Sequence, residues 1–371
     1  MKYTISIFLE TASEDELKFV KLQDAYHMAC NQIVPTVVEE RCWNRVDLHH
    51  LVYKKIRKNS PLGSQMVCNA IFSVCKAYKA KAMGRNEPVP VIQFRKNRSV
   101  HFDKRTYSIE GNILSLYTLE GRIRIPMRMG SFQEKYFSQG MPAEAELICR
   151  KGKWYFNLVL DLPDPPKTEN TKMIGVDLGE NVLAATSTGK MYGGGKVRHA
   201  RNQHLAKRQR LQSNGTQSSK QLLKKISGKE ARRIKHINHQ VSKEIVKEAL
   251  EQKAGIIVLE DLTHIRTRIK AGKKIRSRLH RWAFRELQTM IHYKAMSRGL
   301  RVIYVNPAYS SQECSECGCL GVRNRHHFKC LCGNQQHSDL NASRNLCRFA
   351  QSIGCATCDV NRTKVAALFR S

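Results

Sequence analysis

Ile174-Gly175-Val176-Asp177-Leu178-Gly179 is an apolar run broken by one carboxylate, and Val182-Leu183-Ala184-Ala185-Thr186 follows it before the turn Thr188-Gly189-Lys190. This pattern reads as a buried strand turning into a hairpin partner. Asp177 is the exception within it. A carboxylate at the centre of an apolar strand is costly to bury unless a cation or a donor compensates it. Two readings fit the strand taken alone: a turn cap beside Gly179, and a ligand.

Downstream, Lys196 to Lys235 holds thirteen Lys or Arg and one acid on helical sequence interrupted by the polar break Gln212 to Ser219. A solvated helix face usually mixes both signs so that i,i+4 pairs form. This one does not, and contact with a nucleic-acid backbone is the better reading, with Lys207, Arg208, Arg210, Lys224, Lys225, Arg232 and Arg233 as candidate phosphate contacts. Ile256-Ile257-Val258-Leu259-Glu260-Asp261-Leu262 is a second buried strand ending in a carboxylate. Arg266 to Arg285 then carries nine Lys or Arg and no acid, which suits a basic segment crossing a phosphate path, with Arg266 and Arg268 among its contacts. An amphipathic helix is predicted over Trp282 to Gly299, and a third apolar strand over Val302 to Val305. Asp339, in His337-Ser338-Asp339-Leu340-Asn341-Ala342, stands at the start of a last helix.

Upstream, Lys2 to Leu9 reads as one strand. Ser13-Glu14-Asp15-Glu16 is a capping box opening a helix to about Val34. Further helices are predicted over Val37 to Lys55 and Leu62 to Ala82, the latter with Ser60 as N-cap and Pro61 in its first turn. From Val89 the pattern changes to short alternating runs: 91–94, 99–102, 113–116, 121–125, 145–148 and 154–158. A small antiparallel barrel or sheet is the simplest fold for them, with the first strand available to close it. Asp161 to Pro166, carrying three prolines, is the best domain boundary.

Lys plus Arg number 64 against 31 Asp plus Glu, a formal charge of +33 over 371 residues. Such an excess repels itself in a compact chain and is most easily understood if a polyanion neutralises it, nucleic acid being the best fit. No run of eighteen apolar residues and no basic-then-apolar leader is present, so a membrane partner and secretion are not indicated. An intracellular, cytoplasmic and nucleoid-associated location is expected. Of thirteen cysteines, five are scattered among apolar neighbours and eight lie after residue 313. Without a signal peptide, a terminal cluster of Cys pairs reads as a metal site before it reads as disulfides.

Asp177, Glu260 and Asp339 each lie about 80 residues from the next along the chain. Three carboxylates gathered by a central sheet could hold two Mg²⁺ ions about 4 Å apart, which activate a water and stabilise the leaving oxygen of a phosphodiester. Asp261 and Glu180 are rival ligands, but each adjoins a better-placed acid and points elsewhere in an extended backbone. The alternative is three unrelated acids that cap elements. Cys314-x2-Cys317 matches a Zn²⁺ knuckle, whereas Cys330-Leu331-Cys332 is one residue shorter than the usual spacing. The shorter pair can close a tetrahedron, or Cys319 or His337 can supply the fourth ligand. Cys355-x2-Cys358 is better read as a pair of tail thiols.

These motifs resemble the TnpB family, the RNA-guided nucleases encoded by insertion sequences and related to the type V CRISPR effectors. The matching residues are Ile174-Gly-Val-Asp-Leu-Gly179 with Thr188-Gly189, Val258-Leu-Glu-Asp-Leu262, Trp282-Ala-Phe284, Tyr309-Ser-Ser-Gln312, Cys314-Ser-Glu-Cys-Gly318 and His337-Ser-Asp-Leu-Asn-Ala342, in the family's order, across about residues 170 to 350. The resemblance implies an α/β RNase H-like (RuvC) nuclease domain over 166–313 and 333–350 with catalytic acids at Asp177, Glu260 and Asp339. A zinc-ribbon insert at 314–332 would interrupt it, with Cys314, Cys317, Cys330 and Cys332 around structural Zn²⁺. It further implies an amino-terminal antiparallel β-barrel, or wedge domain, over 1–10 and 87–165, a helical recognition insert over 11–86, and a tail over 351–371. The implied partners are a guide RNA made from the element's own end and a target double-stranded DNA beside a short adjacent motif; pairing with the guide reads the sequence. Two related readings are an RNA-guided DNA-binding repressor that has lost cleavage, which the presence of all three acids disfavours, and a compact type V CRISPR effector. A strand-joining transposase commonly places Glu last, whereas here Glu260 is second.

Overall fold

The computed structural model describes residues 1–262 apart from 82 and 85, together with 284–306 and 308–352. The expected basic segment, including Arg266 and Arg268, and the Cys355 and Cys358 pair lie outside the described residues. The chain divides into two compact units, residues 1–163 and a second beginning at Asp164.

The first unit is an antiparallel sheet and three long helices. Its strands are β1 (Lys2–Leu9), β2 (Val100–Phe102), β3 (Tyr107–Glu110), β4 (Ile113–Thr118), β5 (Gly121–Arg128), β6 (Met141–Arg150) and β7 (Lys153–Asp161), in the order β2-β6-β7-β1-β5-β4-β3. The first strand is therefore central, between β7 and β5, and buries Ile5, Ile7 and Leu9 on one face. The sheet curls into a nearly closed barrel. Tyr107 of the last strand donates its hydroxyl to the Ala143 carbonyl of β6 at 3.0 Å and packs edge-on against Phe156 of β7.

Helices α1 (Ser13–Glu39), α2 (Arg45–Asn59) and α3 (Ser64–Lys79) share that core, with Phe19 of α1 against Trp154 of β7; a short α4 spans Ser131–Phe137. Their limits correct the predicted ones. No break occurs at Pro35: α1 runs through it, because burial of Ile33, Val34 and Val37 outweighs the roughly 3 kcal/mol that an interior proline costs. The second helix consequently starts at Arg45, capped by Asn44, whose side chain accepts from Val46 N–H. The third starts at Ser64 after Gly63, and Ser60 caps only the preceding turn through Leu62 N–H.

The predicted strand at 91–94 is also absent. Its backbone groups are satisfied by side chains instead of a ladder: Asn31 bonds both the N–H and the C=O of Phe94, and the Tyr78 hydroxyl meets Pro90 C=O and Ile92 N–H. In its place the sheet gains β3, a strand the sequence pattern did not single out.

The second unit is built on a five-stranded mixed sheet of β8 (Met173–Asp177), β9 (Val182–Thr186), β10 (Met191–Gly193), β11 (Ile256–Glu260) and β12 (Arg301–Val305), ordered β10-β9-β8-β11-β12. The β8–β9–β10 hairpins are antiparallel; β8, β11 and β12 run parallel. Between β10 and β11 come α5 (Gly195–Asn214), α6 (Gln217–Ile226) and α7 (Lys229–Glu251), so the predicted polar break shrinks to Gly215-Thr216, with a second break at Ser227-Gly228. Helix α8 (Phe284–Met296) precedes β12, and α9 (Ser338–Ser352) closes the described chain.

Alternation along the strands divides the packing. Ile174, Val176, Ile257 and Leu259 face α7 and α8 through Val241, Ile245, Leu287 and Ile291. Ile256, Val258 and Val305 face α9 through Leu346 and Ala350. Between β12 and α9 a small antiparallel sheet, β13 (Val322–Asn324), β14 (His327–Lys329) and β15 (Gln335–His337), carries the cysteine knuckle and runs on to His337.

Candidate active site

The register that builds the second core also places the acids. Parallel pairing of β8 with β11 sets Val176 opposite Leu259, so the next residues, Asp177 and Glu260, end neighbouring strands at the same edge. Period-two alternation puts both on the α9 face, with Gly175 and Val258. Gly175 is what lets α9 lie directly on β8, since a Cβ there would overlap the Ser343 carbonyl. Asp339 is the second residue of α9 and completes the group. Asp177 is half-buried, and Glu260 and Asp339 are buried.

Burial, then the charges of Glu260 and Asp339, hold the Asp177 carboxyl well above the usual carboxylate range, against the pull of Arg323 and of the Leu178 N–H. Burial likewise pushes Glu260 up to about 7, opposed by a hydrogen bond from Ser310 and reinforced by Asp339. The structure thus brings together the three acids singled out in the sequence. Asp261 is exposed and electrostatically felt by Tyr304, which packs with the α7–α8 core; it is no member of the group. The donor set is all oxygen, anionic and short of counter-charge, which fits a hard divalent cation.

Several supporting residues escaped the sequence reading. Ser310 Oγ donates to Glu260 Oε1 at 3.0 Å, and Gln288 Nε2 to the Glu260 carbonyl at 2.7 Å. Arg323, on β13, places its guanidinium 3.2 Å from Asp339 Oδ1. Nothing in the sequence marks Arg323 among the many basic residues. Ser310 was visible only as part of the Tyr309-Ser-Ser-Gln312 match. Two fully buried amides fasten the knuckle to α9: Asn345 Nδ2 bonds the carbonyls of Ser310 and Glu313, while Asn341 bonds Glu313 C=O and Ser315 N–H. A third device locks the β9–β10 hairpin to α7, where buried Glu248 accepts from Thr186, Thr188 and Tyr192.

The Sγ atoms of Cys314, Cys317, Cys330 and Cys332 all lie within 4.8 Å of one another, with 3.7 Å between Cys314 and Cys332 and 3.5 Å between Cys317 and Cys330. A tetrahedron of thiolates about 2.3 Å from Zn²⁺ has edges of roughly 3.8 Å, so the cluster fits a structural zinc site despite the shortened second pair. Burial opposes ionisation of Cys314, but N–H groups of Cys317 and Glu316 and the Asn334 amide bring its thiol down to about 6. Cys319 and His337 stand outside this group of four. Lys207, Arg208, Arg210, Lys224, Lys225, Arg232 and Arg233 are all exposed along α5, α6 and α7. No helix among the described residues is long and apolar enough to cross a membrane.

Known proteins resemble this chain in sequence and in fold. Residues 157–266 match the OrfB family of IS605 elements, described as "Probable transposase", and residues 284–346 match the Cas12f1-like TNB domain. A CRISPR-associated endodeoxyribonuclease Cas12f1 from Sulfoacidibacillus thermotolerans is 36% identical over 218 residues, covering 53% of this chain and 50% of that protein. A TnpB-like protein from Methanocaldococcus jannaschii is 38% identical over 165 residues, covering 43% of this chain and 59% of that protein. The chain thus spans between half and three-fifths of the length of these two relatives. In fold it is similar to Cas12f1 as solved in a complex with single-guide RNA and target DNA, with a TM-score of 0.62 at 17% identity over 91% of this chain and 83% of that one. Residues 157–266 and 284–346 thus match two separate family models, and the similar proteins include TnpB-like proteins and Cas12f1 endonucleases.

Proposed function

We propose that the chain is an RNA-guided, divalent-metal-dependent DNA endonuclease built around a RuvC-like, RNase H-type domain. The observation that carries this reading is the convergence of Asp177, Glu260 and Asp339 from two parallel strand ends and a helix start, with burial and mutual repulsion raising two of the carboxyls. A pair of Mg²⁺ ions, when bound there, supplies the Lewis acidity that activates a water and stabilises the leaving oxygen of a phosphodiester. The chain's own part is to hold the ligands in place. Ser310 fixes the Glu260 carboxylate, and Arg323 puts a positive charge beside Asp339, which would favour a phosphate over water there.

In this reading residues 1–10 and 87–165 are the wedge, 11–86 the recognition lobe, 166–313 and 333–350 the nuclease domain, 314–332 the zinc-ribbon insert and 351–371 the tail. The exposed basic residues of α5, α6 and α7 follow phosphates of guide RNA or target DNA. The relatives' names support the assignment, one being an endodeoxyribonuclease and the other TnpB-like; a cytoplasmic, nucleoid-associated location follows from such substrates.

The test is cleavage of a guide-matched plasmid in Mg²⁺ by protein purified with its RNA. Asp177→Ala, Glu260→Ala and Asp339→Ala should each lower the rate by at least about a thousandfold, because each removes a metal ligand, while RNA binding persists. A variant that still cuts removes its residue from the site, and guide-dependent binding without cutting by the unaltered protein replaces the nuclease reading with the repressor one.

A further inference from the structure

Two imidazoles used by nothing above abut the acids. His326, His337 and Asp339 each offer one ligand atom, all within 4.8 Å of one another. The local fold fixes them. His337 ends β15, whose ladder partner is His327, so His326 lies one residue beyond the pairing register, in the β13–β14 turn where Arg325 adopts φ 55°. Ser338, fully buried at the start of α9, donates its N–H to the His326 carbonyl at 2.8 Å. That bond ties the turn to the helix that carries Asp339, and the two imidazoles lie nearly parallel, 5.4 Å apart at 19°. Asp339 is divided between two neighbours: Arg323 takes Oδ1 at 3.2 Å, while Oδ2 faces His337 Nδ1 at 3.9 Å, the same nitrogen that accepts the Asp339 N–H at 3.2 Å. His326 is exposed, which opens the site to solvent.

We propose that His326, His337 and Asp339 bind a transition-metal dication of the Ni²⁺ or Zn²⁺ class, at a site that shares Asp339 with the carboxylate cluster but differs from it in chemistry. Two imidazoles and one carboxylate suit borderline metals, whereas Mg²⁺ prefers oxygen and retains its waters. An ion held here draws Asp339 away from the carboxylate cluster, so it antagonises Mg²⁺-supported cleavage. That consequence rests on the proposed nuclease function; the binding does not.

The test is calorimetric titration of Ni²⁺ into the zinc-loaded full chain. A Ni²⁺ binding event that needs both imidazoles is expected beyond the zinc and beyond any Ni²⁺ taken by the carboxylate cluster. His326→Ala and His337→Ala should each weaken it by about tenfold or more, and the double variant should abolish it. Asp177→Ala, which removes no ligand of this site, should change it far less than His326→Ala does, which separates this site from the acid cluster. Equal binding by the double variant, or loss in Asp177→Ala matching that in His326→Ala, overturns the proposal. Retained zinc content serves as the check on folding, and His326→Ala, altering an exposed turn residue, decides the matter if the His337 variant loses zinc. In the cleavage assay Ni²⁺ should inhibit the unaltered protein and spare His326→Ala. Ni²⁺ binding lost in His326→Ala, in a protein that never cuts, would sustain this site while the nuclease reading fell.

Discussion

The thiol and carboxylate clusters of the second unit are near neighbours prepared for their ions in different ways. The thiols come from one short stretch, 314 to 332, and the fold aims donors at the first pair: N–H groups and the Asn334 amide bring Cys314 down to about 6 even against burial, and the Cys319 N–H lowers Cys317, while Cys332, despite the Asn334 N–H, is pushed up to about 12 by Cys317 and Cys330. The acids come from positions 177, 260 and 339, and burial and like charge push Asp177 and Glu260 up. A thiol lowered in this way is prepared for its ion by the backbone that folds around it, so zinc binding there is folding energy. Full ionisation of the acids is favoured only when a dication arrives, which suits a site that works rather than one that holds. Asn341 and Asn345 join the two, so loosening the first must be felt at the second.

The comparison is broken most severely at the thiols. Cys332→Ser should lower bound zinc from one equivalent toward none and cost several kcal/mol, whereas Cys319→Ser, outside the group of four, should keep the zinc and its stability. Metal analysis with thermal melts checks this; equal zinc loss in both variants would redraw the ligand set. Next comes Gly175→Val, which forces a side chain into the Ser343 carbonyl. It should cost on the order of 3 kcal/mol and depress cleavage by moving α9, with zinc retained. Thermal melts and a zinc assay on the same sample show whether the helix, and not the ribbon, has been displaced.

Legibility in the sequence followed the same divide. The acids could be read because each interrupts or ends an apolar pattern, and alternation alone puts Asp177 and Glu260 on one face. Arg323 could not, since its meaning comes from a hairpin that folds it back onto Asp339, and no local pattern marks such a return. In the first unit the periodic segments were found but their ends were not. Pro35 reads as a stop until the burial of Val34 and Val37 is weighed against it. Val91 to Phe94 reads as a strand until Asn31, sixty residues earlier, is seen to bond its backbone. Position-specific tertiary bonds of this kind leave no periodic trace.

A smaller effect sharpens the electrostatic half of the contrast. Glu260 titrates near 7 in the folded chain and near 4.3 unfolded, so between those values the folded state binds more protons, and stability falls as pH rises through the window. In Mg²⁺-free buffer, the unaltered protein should lose about 3 kcal/mol more than Glu260→Gln between pH 4.5 and 7.5, and Mg²⁺ should remove the difference. Parallel denaturation curves for the two proteins would weaken the case for a strained carboxylate.

The smallest change separates charge that builds a site from charge that only follows a phosphate path. Lys224, Lys225, Arg232 and Arg233 are exposed and belong to neither cluster. Replacing all four with Ala should leave zinc content and melting nearly unchanged and weaken RNA binding uniformly across sequences. The logarithmic salt slope should flatten by roughly 0.7 to 0.9 for each phosphate that is no longer neutralised. A binding isotherm at several salt concentrations measures it. An unchanged slope would move the phosphate path off these helices, and a sequence-selective loss would mean that one of the four reads a base instead of the backbone.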